Sequence, residues 1–266
     1  MQESSAGPVG PGVLGMIFCR NEGQNSQMKQ VVLITGGATG IGLALAEAFM
    51  SAGDEVAVCG RSEATLERFS AAHPHALAIR ADVTIDADRI AMLDAVTDRF
   101  GRVDILVNNA GTFVERNFLT DIDVTKGLEQ EVALNLTAPI LLTGEVLRRC
   151  PDLAAIVFVT SGYALVSPTR APTYGAVKAG LHGFAEALRR QLAPNGTHVL
   201  ELLPPLVDTP MTTNTSGRKL SPETVAAVTL KALAQRRPMA LPGQTRWLPL
   251  LLRLVPNSIG RLVGSS

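Results

Sequence analysis

The chain has 266 residues, 46% of them hydrophobic, enough for one sizeable domain around a continuous core. Lys+Arg and Asp+Glu are equal at 24, so the formal net charge is zero, which argues against the clustered positive charge that nucleic-acid binding requires. No uninterrupted apolar run reaches the roughly 20 residues of a membrane span. The three cysteines, Cys19, Cys59 and Cys150, are odd in number, far apart and outside any metal-ligand spacing, which reads as a reducing, cytoplasmic setting with no metal site.

Residues 1–27 are rich in Gly, Ser and Gln and carry no basic residue ahead of their short apolar piece, Val13 to Cys19, so they make a poor secretory signal. They are expected to form a disordered extension, with the domain occupying 28–266; the competing reading is a short interfacial anchor at Val13 to Cys19. Val31 to Thr35 is a β-branched apolar run with no polar alternation, as in a buried parallel strand. It leads into GGATGIG and an amphipathic helix ending at Gly53. Strand, glycine loop and helix form the setting of a phosphate cradle. Gly36 permits the tight turn, Gly40 lets the backbone approach a pyrophosphate, and Gly42 allows close helix packing, with the helix N-terminus facing the negative charge. The plain alternative is a glycine-rich turn without a ligand.

The second strand, Glu55 to Gly60, ends where a dinucleotide site meets the adenosine ribose. An acidic residue there would accept from a free 2′-hydroxyl, but the chain reads Gly60-Arg61-Ser62. A guanidinium suits a 2′-phosphate, so NADP(H) is expected in preference to NAD(H), unless Arg61 is only a solvated residue after a strand. A helix over 63–72, a strand over 76–80 and Asp82-Val83 follow; Asp82 could bond an adenine amine or cap the next helix. Next come an amphipathic run from Arg89 to Phe100 and a strand from Val103 to Val107. Asn108-Asn109-Ala110-Gly111 then supplies small residues that admit a ring or ribose, and asparagines able to tie strands together. Residues 128–150 read as one long helix ended by Pro151, with Asn135 either a satisfied buried amide or a water holder.

Ala154 to Thr160 is another apolar strand, with Ser161 at its carboxyl end, where open parallel sheets bind ligands. The following helix carries Tyr174 and Lys178 four residues apart, on one face. A phenol with an ordinary pKa of about 10 must fall by about three units, about 4 kcal/mol, to work near neutrality. An ammonium about 5 Å away supplies about 3 kcal/mol at a dielectric of about 20, so Lys178 is expected to account for most of the shift. A strand over 198–203 and the turn Pro204 to Pro210 complete the alternation, which predicts an α/β fold: a doubly wound parallel sheet with helices on both faces, in a single domain. Ser221 and Pro222 mark a further helix start. The apolar tail at 246–266 is expected to pack across a dimer interface or rest weakly on a membrane surface. Phe113, Val114, Tyr163, Leu165, Val166, Leu206 and Met211 could line an apolar pocket or simply pack.

Together, TGGATGIG at 35–42, NNAG at 108–111, Asn135, Ser161 and YGAVK at 174–178 resemble the short-chain dehydrogenase/reductase family, in the branch whose loop reads TGxxxGxG. The resemblance runs from about Met28 to about Met211 and implies a Rossmann-type fold. It also implies an oxidoreductase moving a hydride between NADP(H) and a carbonyl or secondary alcohol. By position, Tyr174 would be the general acid/base, Lys178 would lower its pKa and bind the nicotinamide ribose, Ser161 would bond the substrate oxygen, and Asn135 would hold a relay water. Gly36, Thr39 and Ile41 would line the pyrophosphate, Arg61 the 2′-phosphate, and Asp82 and Val83 the adenine. Asn109, Ala110 and Gly111 would face the ribose side, and Val207 and Thr209 the carboxamide. The family usually has Pro-Gly where this chain has Pro204-Pro205, and the second proline removes a backbone donor and stiffens that turn. A homodimer or homotetramer is implied, and the tail resembles a subgroup found beside genes for cell-wall polymer D-alanylation. The alternative from another class is a non-catalytic NADP-binding redox sensor or partner subunit.

Overall fold

The computed structural model describes residues 29–264; the expected extension at 1–27 lies outside the described residues. The strands are β1 (Val31–Thr35), β2 (Glu55–Gly60), β3 (Leu77–Arg80), β4 (Ile105–Asn108), β5 (Ala155–Val159), β6 (His198–Leu202) and β7 (Met239–Ala240). Every pairing is parallel, in the order β3-β2-β1-β4-β5-β6-β7. Strand order reverses between β1 and β4, and such a switch point opens a crevice at the carboxyl ends of the strands.

The helices are α1 (Gly40–Ser51), α2 (Glu63–Ala72), α3 (Asp86–Phe100), α4 (Leu128–Val132), α5 (Ala138–Arg149), α6 (Pro172–Leu192), α7 (Pro222–Ala234), α8 (Leu248–Leu254) and α9 (Pro256–Gly264). Because strand side chains alternate, Val32 and Ile34 of β1 pack with Leu45 and Phe49 of α1 and Val225 of α7. Val31 and Leu33 face the other way, toward Met92 of α3, Leu142 of α5 and Leu181 of α6. This is the expected doubly wound α/β sheet, covered on both faces.

Local chemistry sets the element ends. Ser62 Oγ accepts from Thr65 N at the start of α2, and Gly101, at φ +79°, closes α3 with its N–H on Thr97 O. Asp82 does not cap α3, whose N-cap is Ile85; its carboxylate accepts from Thr84 N and Oγ1 instead.

The long helix expected over 128–150 is interrupted by a π-helical turn at Ala133–Thr137. Pro139 has no N–H, so the α-helical bond to the carbonyl of Asn135 cannot form, and the ladder widens to a bond from Ala138 N to Ala133 O. β7, too short for a periodic signal, was not foreseen. Among the described residues no helix is long and apolar enough to cross a membrane.

Candidate active site

The glycine loop joins β1 to α1. Gly36 and Gly40 adopt φ +63° and +54°, conformations that L side chains rarely take. A Cβ on Gly42 would lie 2.3 Å from Gly36 O and 2.6 Å from Asn109 Nδ2, so the loop closes on α1 only with glycine there. Asn109 ties the strands together as expected: Nδ2 donates to Thr35 O (2.8 Å) and Gly36 O (3.1 Å), and Thr35 Oγ1 accepts from the amides of Asn109 and Ala110. Thr39, the N-cap of α1, makes no side-chain capping bond, which leaves first-turn amides for an anion.

Beside this loop is a cavity of about 520 Å³. Its walls include Gly36, Thr39, Gly40, Ile41, Asn109, Ala110, Gly111, Asn135, Ser161, Tyr174, Lys178, Val207 and Thr209. Thus the glycine loop and all four catalytic candidates meet in one place, although Gly36 and Lys178 are 142 positions apart in the chain (178 − 36). Gly42 stands behind the wall. Arg61, Asp82 and Val83 lie outside the cavity, at the carboxyl ends of β2 and β3. There Arg61 Nη1 is 3.6 Å from Asp82 Oδ2. Burial would raise the Asp82 carboxyl, but bonds from Thr84 and the Arg61 charge outweigh it and hold the pKa below its ordinary value.

Ser161 follows β5, and its Oγ accepts from Tyr163 N at 3.1 Å. Pro172 opens α6 and suits a first helical position, so Tyr174 and Lys178 project from one face a turn apart. Lys178 Nζ donates to Val159 O at 3.0 Å and sits 5.7 Å from the Tyr174 ring centroid. Phe113 and Tyr163 meet that ring edge-on, with centroids at 4.9 and 6.4 Å. Asn135 is wholly buried, and its amide binds both backbone groups of Thr112 (Thr112 N to Oδ1, 3.1 Å; Nδ2 to Thr112 O, 3.0 Å).

The electrostatics correct one expectation. Burial pushes the Tyr174 phenol well above its ordinary pKa; a hydrogen bond with Ser161 opposes this, while Tyr163 and Glu131 raise it further. Desolvation is the largest influence on the phenol and the neighbouring Lys178 does not reverse it; burial lowers the lysine too, from 10.5 to about 8. Both members of the pair lose hydration together, a cost that the dielectric of about 20 used for the pair leaves out.

Of the proposed apolar lining, Phe113, Tyr163, Val166, Leu206 and Met211 face the cavity, whereas Val114 and Leu165 do not. Both Pro204 and Pro205 line it, and Pro204 O accepts from Gly162 N. The tail takes a place not foreseen: Leu248 and Leu251 of α8 and Ile259 and Val263 of α9 roof the cavity. Their i, i+3 and i, i+4 spacings put each pair on one side of its helix, only partly covered, with Leu251 still 37% exposed, and a spacing does not say what that side meets.

Another unforeseen group is buried behind Tyr174. Arg116 Nη2 donates to Glu131 Oε2 at 3.1 Å, Thr173 Oγ1 donates to the same oxygen at 2.9 Å, and Arg116 Nη1 donates to the carbonyls of Val124 and Lys126. This pins the 112–127 loop to the start of α6. Among the described residues no group of three His, Cys, Asp or Glu is placed to hold a metal.

The family model for short chain dehydrogenase matches residues 30–219. An uncharacterized oxidoreductase, DltE, of Bacillus subtilis (strain 168) is 40% identical over 188 residues, 67% of this chain and 71% of that protein. The structure of a Brucella melitensis 3-ketoacyl-(acyl-carrier-protein) reductase complexed with NADH superimposes with a TM-score of 0.72 at 27% identity, over 79% of this chain and 94% of that one. An actinorhodin polyketide ketoreductase variant with NADPH gives 0.72 at 28%, over the same shares, 79% and 94%.

Proposed function

The chain belongs to the short-chain dehydrogenase family, and from that premise we propose that it is an NADP(H)-dependent oxidoreductase interconverting an apolar carbonyl compound and its alcohol. The observation that carries this reading is the meeting of Ser161, Tyr174 and Lys178 with the glycine loop along one cavity wall. The residues fit a dinucleotide: two left-handed glycines, a helix start with free amides, and a Gly42 position that no side chain could occupy. Bound there, the nicotinamide supplies the hydride in reduction and accepts it in oxidation.

Gly36, Thr39, Gly40 and Ile41 hold the pyrophosphate, and Asn109, Ala110 and Gly111 leave room for the ribose beside Lys178. Val207 and Thr209 meet the carboxamide. Arg61 turns toward a 2′-phosphate from its loose, exposed pairing with Asp82, which with Val83 borders the adenine. Ser161 donates to the substrate oxygen and Tyr174 delivers its proton to that oxygen as charge develops. The raised phenol pKa keeps Tyr174 protonated at neutral pH, the form required for reduction. Asn135 holds a water through its carbonyl oxygen, the one that Pro139 cannot engage, and so links Lys178 to solvent.

The roofing residues Leu248, Leu251, Ile259 and Val263 favour an apolar substrate. The Brucella and actinorhodin proteins, reductases of ketone substrates, support a carbonyl as the reacting group. The test is NADPH consumption against a panel of ketones and aldehydes graded in chain length. Turnover should rise with apolar length. Stoichiometric NADPH binding with no turnover on any member would identify a non-catalytic NADP-binding protein.

A further inference from the structure

After Glu223 the chain contains no Asp or Glu, yet it carries Lys231, Arg236, Arg237, Arg246, Arg253 and Arg261. The charge balance of the whole molecule therefore does not hold locally, and the charged side chains of its carboxyl-terminal region are all cationic. α8 and α9 present two different sides. Inward they give Leu248, Leu251, Ile259 and Val263 to the cavity, with Leu251, still 37% exposed, at the edge between the two sides. Outward, Trp247, Leu250 and Leu254 are 52%, 50% and 65% exposed. Arg246 lies over the Trp247 ring at 5.1 Å, and Arg253, also exposed, sits between Leu250 and Leu254 along the helix. Among the described residues Arg246, Arg253 and Arg261 have no carboxylate partner.

We propose that this outer face of α8, bordered by Arg246, Arg253 and Arg261, is a docking surface for an anionic lipid bilayer. Exposed leucines alone could equally be covered by a second copy of the chain. A two-fold contact through this patch, however, would set the same arginines against one another with no carboxylate between them, and that repulsion disfavours self-docking. An anionic bilayer meets both demands. The acyl boundary accepts Trp247, Leu250 and Leu254, and headgroup phosphates accept the guanidiniums. Docking in this orientation brings the roof of the cavity to the lipid surface.

Trp247 is the only tryptophan in the chain, so intrinsic tryptophan fluorescence reports on this face alone. The full chain is mixed with vesicles of phosphatidylcholine, or of phosphatidylcholine with phosphatidylglycerol, and followed by tryptophan emission and co-sedimentation. With the anionic vesicles the emission should shift to the blue and the protein should sediment; with neutral vesicles neither should occur. The double variant Arg246→Glu/Arg253→Glu should bind at least about tenfold more weakly. Leu250→Ser/Leu254→Ser serves as a second variant should charge reversal disturb folding, and an unchanged melting temperature checks each. The proposal is overturned by equal binding to both vesicle types, by sedimentation without a tryptophan shift, or by full binding of the charge-reversed variant. A blue shift that grows with protein concentration in the absence of vesicles would assign the face to a second copy instead.

Discussion

The Nζ of Lys178 reaches back 3.0 Å to the carbonyl oxygen of Val159, the last residue of β5 and two positions before Ser161. One bond therefore joins the helix that bears Tyr174, the proposed acid/base, to the strand end that bears Ser161. It forms where water is excluded, and this burial lowers the lysine from 10.5 to about 8.

Since the folded pKa lies below the unfolded one, the unfolded chain binds more protons between about 8 and 10.5. Stability from this group therefore rises with pH across that window, and below about 8 the full penalty applies, about 3 kcal/mol. Cys59 acts in the opposite sense: burial raises its thiol from 9.0 to about 12, so its contribution falls as pH rises above 9. Comparing Lys178→Met with the parent cancels the Cys59 effect. Allowing about 1 kcal/mol for the lost bond to Val159, urea unfolding should find the variant about 2 kcal/mol more stable at pH 7. That advantage should vanish near pH 10.5, and an equal difference at both pH values would contradict the burial argument.

Tyr174→Phe keeps the ring contacts with Phe113 and Tyr163 but removes the proton. Turnover should drop by about 10² to 10⁴ with NADPH affinity unchanged, measured by steady-state rates beside fluorescence titration. Retention of most of the rate would remove the phenol from the mechanism.

Arg61 is exposed and only loosely held, 3.6 Å from Asp82, so it is free to turn toward a phosphate. Arg61→Ala should raise KM for NADPH about tenfold, the value of one charge-assisted contact, and leave KM for NADH unchanged. Parallel rises with both cofactors, or equal use of both by the parent, would sink the NADP(H) preference.

Gly42→Ala forces a methyl to within 2.3 Å of Gly36 O, a backbone atom that cannot rotate away. The loop must open, costing about 1–3 kcal/mol of stability, and cofactor affinity should fall with it. Calorimetry with and without NADPH separates the two effects; an unaltered melting temperature would mean that the loop is looser than described.

Much of the architecture was legible because its signals are local. Continuous apolar runs marked the central strands, with β2 and α2 placed to the residue, and glycines at fixed offsets marked the phosphate turn. The π turn at Asn135 has its cause in Pro139, whose missing N–H acts four residues back, at a carbonyl that no local pattern of apolar residues marks. The Arg116–Glu131–Thr173 group had no such signal, since its members share neither spacing nor motif.

The sequence by itself determined which residue types stand at the carboxyl ends of the strands, and hence the candidates Ser161, Tyr174 and Lys178 and the glycine loop. Backbone periodicity and motif spacing depend only on near neighbours along the chain. Only the tertiary structure decided that the apolar tail roofs the cavity and that Tyr174 is raised rather than lowered by its surroundings. Burial and desolvation are sums over everything that packs around a group, and most of what packs around Tyr174 comes from distant segments.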